Sequence, residues 1–200
     1  MRYSRQIVFE KIGDDGQEKI KNATVTILGL GAIGSKSAEL LTRAGIGSLT
    51  LIDRDIVEES NLQRQPLFTE EDINQPKAIV AKNHLEKINS NIKIKAFFKD
   101  INHKNIEEYI KPMIVLDCTD NMQTRFLLNE FCFKKNIPWI YAAIIESTGM
   151  LFSIIPGKTP CLTCIFNEIN QPLDSCDVSG IINTIAPLAS SIQTTEALKY

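Results

Sequence analysis

The chain has 200 residues, of which 44% are hydrophobic and 23% charged, with a formal net charge of −2. That is the composition of an ordinary globular domain, long enough to bury one full core and too short for two. No basic stripe suits nucleic acid, and no apolar run approaches the ~18–20 residues a membrane span needs.

The opening decapeptide, MRYSRQIVFE, has no signal-peptide core, so the chain reads as cytoplasmic. Its five cysteines then read as metal ligands, nucleophiles or core residues rather than disulfides. Residues 1–22 are a polar entry segment leading into an amphipathic stretch with Ile7, Phe9, Ile12 and Ile20, which suits a helix packed on a sheet edge. Arg2 and Arg5 have no local partner in this stretch.

Residues 23–53 carry the strongest signal. Ala23 to Leu28 is a short apolar, β-branched run and reads as a buried strand. Gly29, Gly31 and Gly34 follow in G-x-G-x-x-G spacing: a tight turn, a close approach to phosphate, and close packing of helix on strand. Ser35 to Ala44 continues as a helix whose N-terminal N–H groups and dipole face that phosphate, and Gly45 stops it. Ser48 to Ile52 is a second strand. Asp53 at its carboxyl end, 19 positions after Gly34, suits a hydrogen bond to a ribose hydroxyl.

Residues 53–65, DRDIVEESNLQRQ, lack helical or strand periodicity and read as a long loop on the ligand edge, with Asn61, Gln63 and Arg64 facing a nucleotide. Gln75-Pro76-Lys77 opens a helix with Pro76 in its first turn. Lys77 stands where a cation opposes the helix dipole, which fits a lysine reaching for a phosphate. Asn91 to Phe98 is a third strand, Asn102 to Ile110 a short helix, and Met113 to Leu116 a fourth strand.

That fourth strand runs into Asp117-Cys118-Thr119-Asp120-Asn121, two carboxylates on the ligand edge. Cys118 reads as buried packing. Asp120 has two compatible roles, holding Mg²⁺ or capping the helix from Asn121 to Lys135. Trp139 to Ile145 and Gly149 to Ile155 are strands five and six. A C-x-x-C knuckle, Cys161 to Cys164, a polar segment carrying Cys176, and an apolar helix over residues 181–199 complete the chain. The order β-α-β-α-β-α-β-α-β-β predicts one α/β domain with a doubly wound, mainly parallel sheet and helices on both faces.

The glycine triplet and Asp53 alone suit an NAD-dependent oxidoreductase. The remaining polar set favours ATP, because Arg64, Lys77 and Asp120 are two cations and a metal-binding carboxylate fit to neutralise a departing pyrophosphate. His84 and His103 are the only histidines, and neither has a visible partner for proton handling. With no G-K-[ST] motif the chain is not a P-loop hydrolase. A carboxylate, ionised at neutral pH, attacking the α-phosphate fits best, giving an acyl-adenylate and pyrophosphate.

RYSRQ, GLGAIGS, the DRDIVEESNLQRQ segment, QPK, DCTDN and the late C-x-x-C together resemble the ThiF/MoeB/HesA adenylyltransferases, bacterial relatives of the ubiquitin-activating enzymes. The resemblance spans residues 2–199 and implies a single Rossmann-like ATP-binding adenylation domain over residues 1–200. By it, Asp53 binds ribose, Asn61 and Arg64 contact phosphates, Lys77 holds the α-phosphate region, and Asp120 holds Mg²⁺. Ala32, Asp55, Ser60, Gln63 and Asn121 join the glycines among the nucleotide-contacting positions. Arg5 resembles an arginine that reaches the triphosphate of the other subunit in a homodimer.

The implied substrate is the C-terminal Gly-Gly carboxylate of a ThiS- or MoaD-type sulfur carrier protein, in thiamine or molybdopterin biosynthesis, with a sulfurtransferase or desulfurase supplying sulfur. Cys176 aligns with the cysteine that engages the activated carrier. The alternatives are adenylation of a short peptide and a non-catalytic nucleotide-binding subunit. The departure is at zinc: Cys161 and Cys164 are half of a Cys₄ site, and no second C-x-x-C is present. The chain also stops mid-helix at Lys199-Tyr200, so the resemblance implies a truncated sequence whose last strands and second zinc half-site are missing.

Overall fold

The computed structural model describes residues 2–166 and 180–200. Six strands form one sheet: β1 Thr24–Leu28, β2 Ser48–Asp53, β3 Lys93–Phe98, β4 Ile114–Asp117, β5 Trp139–Ile145 and β6 Thr148–Ile154. Their spatial order is β3-β2-β1-β4-β5-β6. The first five are parallel, and β6 returns antiparallel to β5 as a hairpin. The winding direction reverses between β1 and β4, and a crevice opens beyond the carboxyl ends of the strands at that point.

Period-two alternation divides the core between the two faces of the sheet. Val25, Ile27, Leu49, Leu51, Leu116 and Ile140 point into one buried cluster. It is closed by α3 (Ala32–Ala44), α4 (Lys77–Ile88) and α8 (Ile185–Lys199). Leu28, Ile52, Val115, Trp139 and Tyr141 point into the other. There α5 (Ile106–Tyr109), α6 (Met122–Lys135) and α7 (Leu162–Phe166) supply Ile106, Leu128, Phe131, Leu162 and Phe166.

Two helices, α1 (Ser4–Ile7) and α2 (Gly13–Asn22), pack where α3 and α4 end, at the amino edge of the sheet. Gln6 and Gln17 both donate to the carbonyl of Ala44, at 3.0 and 3.1 Å. Asn89 donates to the Tyr3 hydroxyl at 2.8 Å. Arg2 has a partner after all: its guanidinium donates to the carbonyl of Ile88 at 2.8 Å, where the negative end of the α4 dipole favours a cation. This segment therefore lies across the sheet from the ligand edge.

Several boundaries differ from the sequence expectation. Helix α3 begins at Ala32, three residues early, because Gly31 is its N-cap and Gly34 sits inside its first turn. A Cβ at Gly34 would lie 1.9 Å from the carbonyl oxygen of Gly29, so only glycine allows the helix to start there. Gly29 has φ +88° and no room for a side chain against the carbonyl of Cys118.

The loop after Asp53 is also more ordered than its composition suggests. Ile56 bridges Pro76 antiparallel, and the amide of Lys77 donates to the carbonyl of Asp55 at 3.0 Å. A 3₁₀ turn, Glu59–Asn61, runs on until the amides of Arg64 and Gln65 both donate to the carbonyl of Asn61 at 3.0 Å. Asn61, Arg64 and Gln65 consequently share one face of a helical turn, the i, i+3, i+4 relation.

Candidate active site

A cavity of about 850 Å³ opens at the carboxyl ends of β1, β2 and β4. Gly29, Gly31 and Ala32 form one wall, Asp53 and Asp55 another, and Asn61, Arg64 and Lys77 a third. Asp120 and Asn121 line it as well, together with the apolar Ala143, Ile144, Met150 and Ile181. The helical turn over 59–65 brings Asn61 and Arg64 in; the Ile56–Pro76 bridge does the same for Lys77.

Asp53 is 7% exposed, and its two oxygens accept amides of the glycine loop and its own loop, Leu30 N–H at 2.5 Å and Asp55 N–H at 2.7 Å. Burial pushes its pKa above the ordinary carboxylate value, against the opposing pull of those two amides and of Lys77. Asp53 thus ties the glycine loop to β2 while facing the cavity.

Lys77 is buried, and its Nζ lies 3.5 Å from Oδ2 of the half-exposed Asp55. Its ammonium is therefore held at the cavity wall and is not freely solvated. Arg64 is half-buried and donates to the carbonyl of Ser60 at 2.8 Å.

Asp120 is exposed on the cavity and makes no hydrogen bond or ion pair among the described residues. The capping role weighed for it belongs to Asn121, whose Oδ1 accepts from the amide of Thr124 at 2.8 Å. A lone free carboxylate suits Mg²⁺, which is commonly held by one or two carboxylates together with substrate phosphates. No group of three or more His, Cys, Asp or Glu side chains suited to a metal occurs among the described residues.

Some expected site residues are placed elsewhere. Gly34 is consumed by helix packing and does not line the cavity. Ser60 and Gln63 lie on the outer face of the helical turn and are exposed, so neither lines the cavity. Arg5 is exposed at the amino edge, away from the cavity of its own chain. Asp117, the second carboxylate expected on the ligand edge, is fully buried. Cys176 lies outside the described residues.

Three residues passed over in the sequence matter here. Arg125, from α6, is buried against Asp117 with Nε 3.5 Å from Oδ2. It also donates to the Tyr141 hydroxyl at 3.2 Å and to the carbonyl of Thr119. Burial raises the pKa of Asp117 while Arg125 and the Thr119 donors oppose the rise.

Gln193, from α8, uses all four of its hydrogen-bonding positions: it donates to the carbonyls of Asp117 (2.9 Å) and Ile140 (3.0 Å) and accepts from Ser37 and Cys118. Cys118 is thereby packing, with burial holding its thiol far above the ordinary range. Gln65 lines the cavity beside Gly31; its i+4 spacing from Asn61 was the available signal.

His84, read as unsupported, has Nε2 at 3.0 Å from both oxygens of Asp72. Neither residue lines the cavity, so the pair secures the connector before α4. At the knuckle, Cys161 Sγ and Cys164 Sγ are 3.4 Å apart, near the ~3.8 Å of two thiolates on one tetrahedral zinc. Burial works to raise the Cys161 thiol, but N–H groups of Cys164 and Thr163 and the Asn129 amide outweigh it and lower the pKa. Two thiols alone do not complete a structural zinc site.

The profile of the ThiF family matches residues 3–200. The sulfur carrier protein ThiS adenylyltransferase of Bacillus subtilis (strain 168) is 43% identical over 201 residues, which cover 99% of this chain and 60% of that protein. The molybdopterin-synthase adenylyltransferase of Haemophilus influenzae is 38% identical over 202 residues, 100% of this chain and 83% of that one. Among solved structures, Escherichia coli MccB with ATP superposes with a TM-score of 0.86 at 28% identity, covering 100% of this chain and 62% of that one. The chain therefore spans about three fifths of the length of the B. subtilis relative and of MccB.

Proposed function

Because the chain belongs to the ThiF family, we propose that it adenylates the C-terminal glycine carboxylate of a small ubiquitin-like sulfur carrier protein, using ATP. The observation carrying this reading is that Arg64, Lys77 and Asp120, from three separate segments, share one cavity with the glycine loop. The relatives named as adenylyltransferases of sulfur carriers support it from sequence.

ATP lies with its phosphates over Gly31 and the N-terminus of α3, whose first-turn N–H groups have no side-chain cap. Asp53 and its loop hold the ribose side. The carrier carboxylate attacks the α-phosphorus; the new carboxyl O–P bond forms as the bond to the bridging oxygen of the β-phosphate breaks, and pyrophosphate leaves. Lys77 and Arg64 offset the charge growing on the α-phosphate and the leaving group. Asp120 holds Mg²⁺, which when bound neutralises phosphate charge. The activated carrier is then ready for sulfur delivered by a sulfurtransferase or desulfurase in the cytoplasm, with Cys176 as the group that engages it.

Arg5 serves the site of a second copy. It is anchored at the opposite edge of its own chain through Arg2, Tyr3 and Gln6, beside Val8 and Phe9, which are 77% and 56% exposed. Zinc, with Cys161 and Cys164 as two of its ligands, requires two more thiolates from outside the described residues.

The test is ATP–pyrophosphate exchange with carriers ending in Gly-Gly. Carrier-dependent exchange supports the reading, exchange driven by a short peptide instead moves it to the peptide substrates, and absence of exchange with both overturns it.

A further inference from the structure

Gln65 is 3% exposed, and its side-chain oxygen has no hydrogen-bond partner among the described residues. Its amide nitrogen makes no hydrogen bond among them either. A buried amide oxygen left without a donor costs free energy that an apolar side chain of the same length avoids. The same side chain lines the cavity. Of all atoms outside the glycine loop itself, its Nε2 is the nearest to the side of Gly31 where a Cβ would project, at 3.9 Å, with nothing in between. Gly31 is also the N-cap of α3, and the uncapped N–H groups of that helix attract anionic oxygen.

We propose that Gln65 is a phosphate-contacting residue whose Nε2 donates to a non-bridging phosphate oxygen seated over Gly31. The inference rests on the nucleotide reading above and extends it: the Nε2 end of the amide, which has no acceptor among the described residues, gains one when the anion is bound. An ionised phosphate offers acceptors alone, which suits the N–H end of the amide. The i, i+3, i+4 turn that carries Asn61 and Arg64 into the cavity carries Gln65 with them, at the end of the row nearest the glycine loop.

The test is Gln65→Leu, with Gln65→Met as a second variant of similar length. ATP and adenosine are titrated separately, and the melting temperature is taken without ligand. The expected result has three parts. ATP binding weakens by about tenfold to a hundredfold, the range of a lost hydrogen bond to a charged acceptor. Adenosine binding is unchanged. The ligand-free melting temperature rises by about 2 °C or more as the unpaired amide is removed.

Unchanged ATP binding in both variants, an equal loss for adenosine, or a fall in melting temperature in both overturns the assignment of Gln65. If the wild-type chain itself binds no ATP, the nucleotide reading falls and this inference with it. Wild-type binding with no effect of either substitution overturns the inference alone.

Discussion

Lys77 and Asp55 meet twice. The Lys77 amide donates to the Asp55 carbonyl at 3.0 Å, and the ammonium lies 3.5 Å from the Asp55 carboxylate. The backbone contact sets where α4 begins, and the side-chain contact holds the ammonium at the cavity wall. Asp55 is 54% exposed at its side chain, so the ion pair contributes at most about 1 kcal/mol to stability.

Lys77→Met is accordingly expected to leave the urea midpoint nearly unchanged while lowering ATP–pyrophosphate exchange by about 100-fold or more, the cost of one donor on developing charge. A large loss of stability with little loss of exchange per folded molecule would reverse the assignment.

Asp120 makes no hydrogen bond or ion pair among the described residues, so Asp120→Asn costs the fold almost nothing. Exchange is expected to fall by at least about 100-fold, while nucleotide binding measured without Mg²⁺ stays at or above the wild-type level, because a negative charge near the phosphates is gone. A magnesium titration of both proteins checks this.

Gln193 is the structural counterpart of these site residues. Gln193→Leu strips donors from two buried carbonyls, those of Asp117 and Ile140, and the acceptor from Ser37 and Cys118. At roughly 1–3 kcal/mol for each unsatisfied buried group, the loss is expected to reach about 3 kcal/mol or more. Denaturant unfolding measures it; a loss below about 1 kcal/mol would mean the groups find other partners.

The Asp72–His84 pair predicts a pH dependence. Burial works to raise the Asp72 pKa, but His84 and the amide and hydroxyl of Thr69 outweigh it and hold the carboxyl below its ordinary value. A folded-state pKa that is depressed contributes stability present above the unfolded value, about 3.9, and lost as pH falls through the folded one. Asp72→Asn is therefore expected to be destabilised by roughly 1–2 kcal/mol at pH 7, with the gap to wild type closing below about pH 4. Unfolding curves at pH 7 and pH 3 decide it, and an equal gap at both would refute the linkage.

Much of the fold was legible because it is local. Strand β5 spans the residues expected of it, and β1, β2, β4 and β6 fall within one residue or so at each end. Each is a short run whose burial its own apolar residues dictate. The glycine spacing and Asp53 were legible for the same reason: a strand, a tight turn and a helix lie within thirty-one consecutive residues. The start of α3 was missed because Gly34 is a poor helix former by propensity, and only its contact with Gly29 explains its place inside the helix.

The amino-acid sequence by itself determined a mainly parallel α/β sheet with a nucleotide-type glycine loop, since periodicity and spacing are properties of neighbouring residues. The tertiary structure decided which polar side chains share the cavity. One helical turn sends Asn61, Arg64 and Gln65 inward and leaves Ser60 and Gln63 in solvent. The pairing of Arg125 with Asp117, and of Gln193 with four partners across 53 to 156 positions of chain, depends on packing between distant segments. Buried polar groups must find partners wherever the fold brings them, and that requirement leaves no local pattern to read.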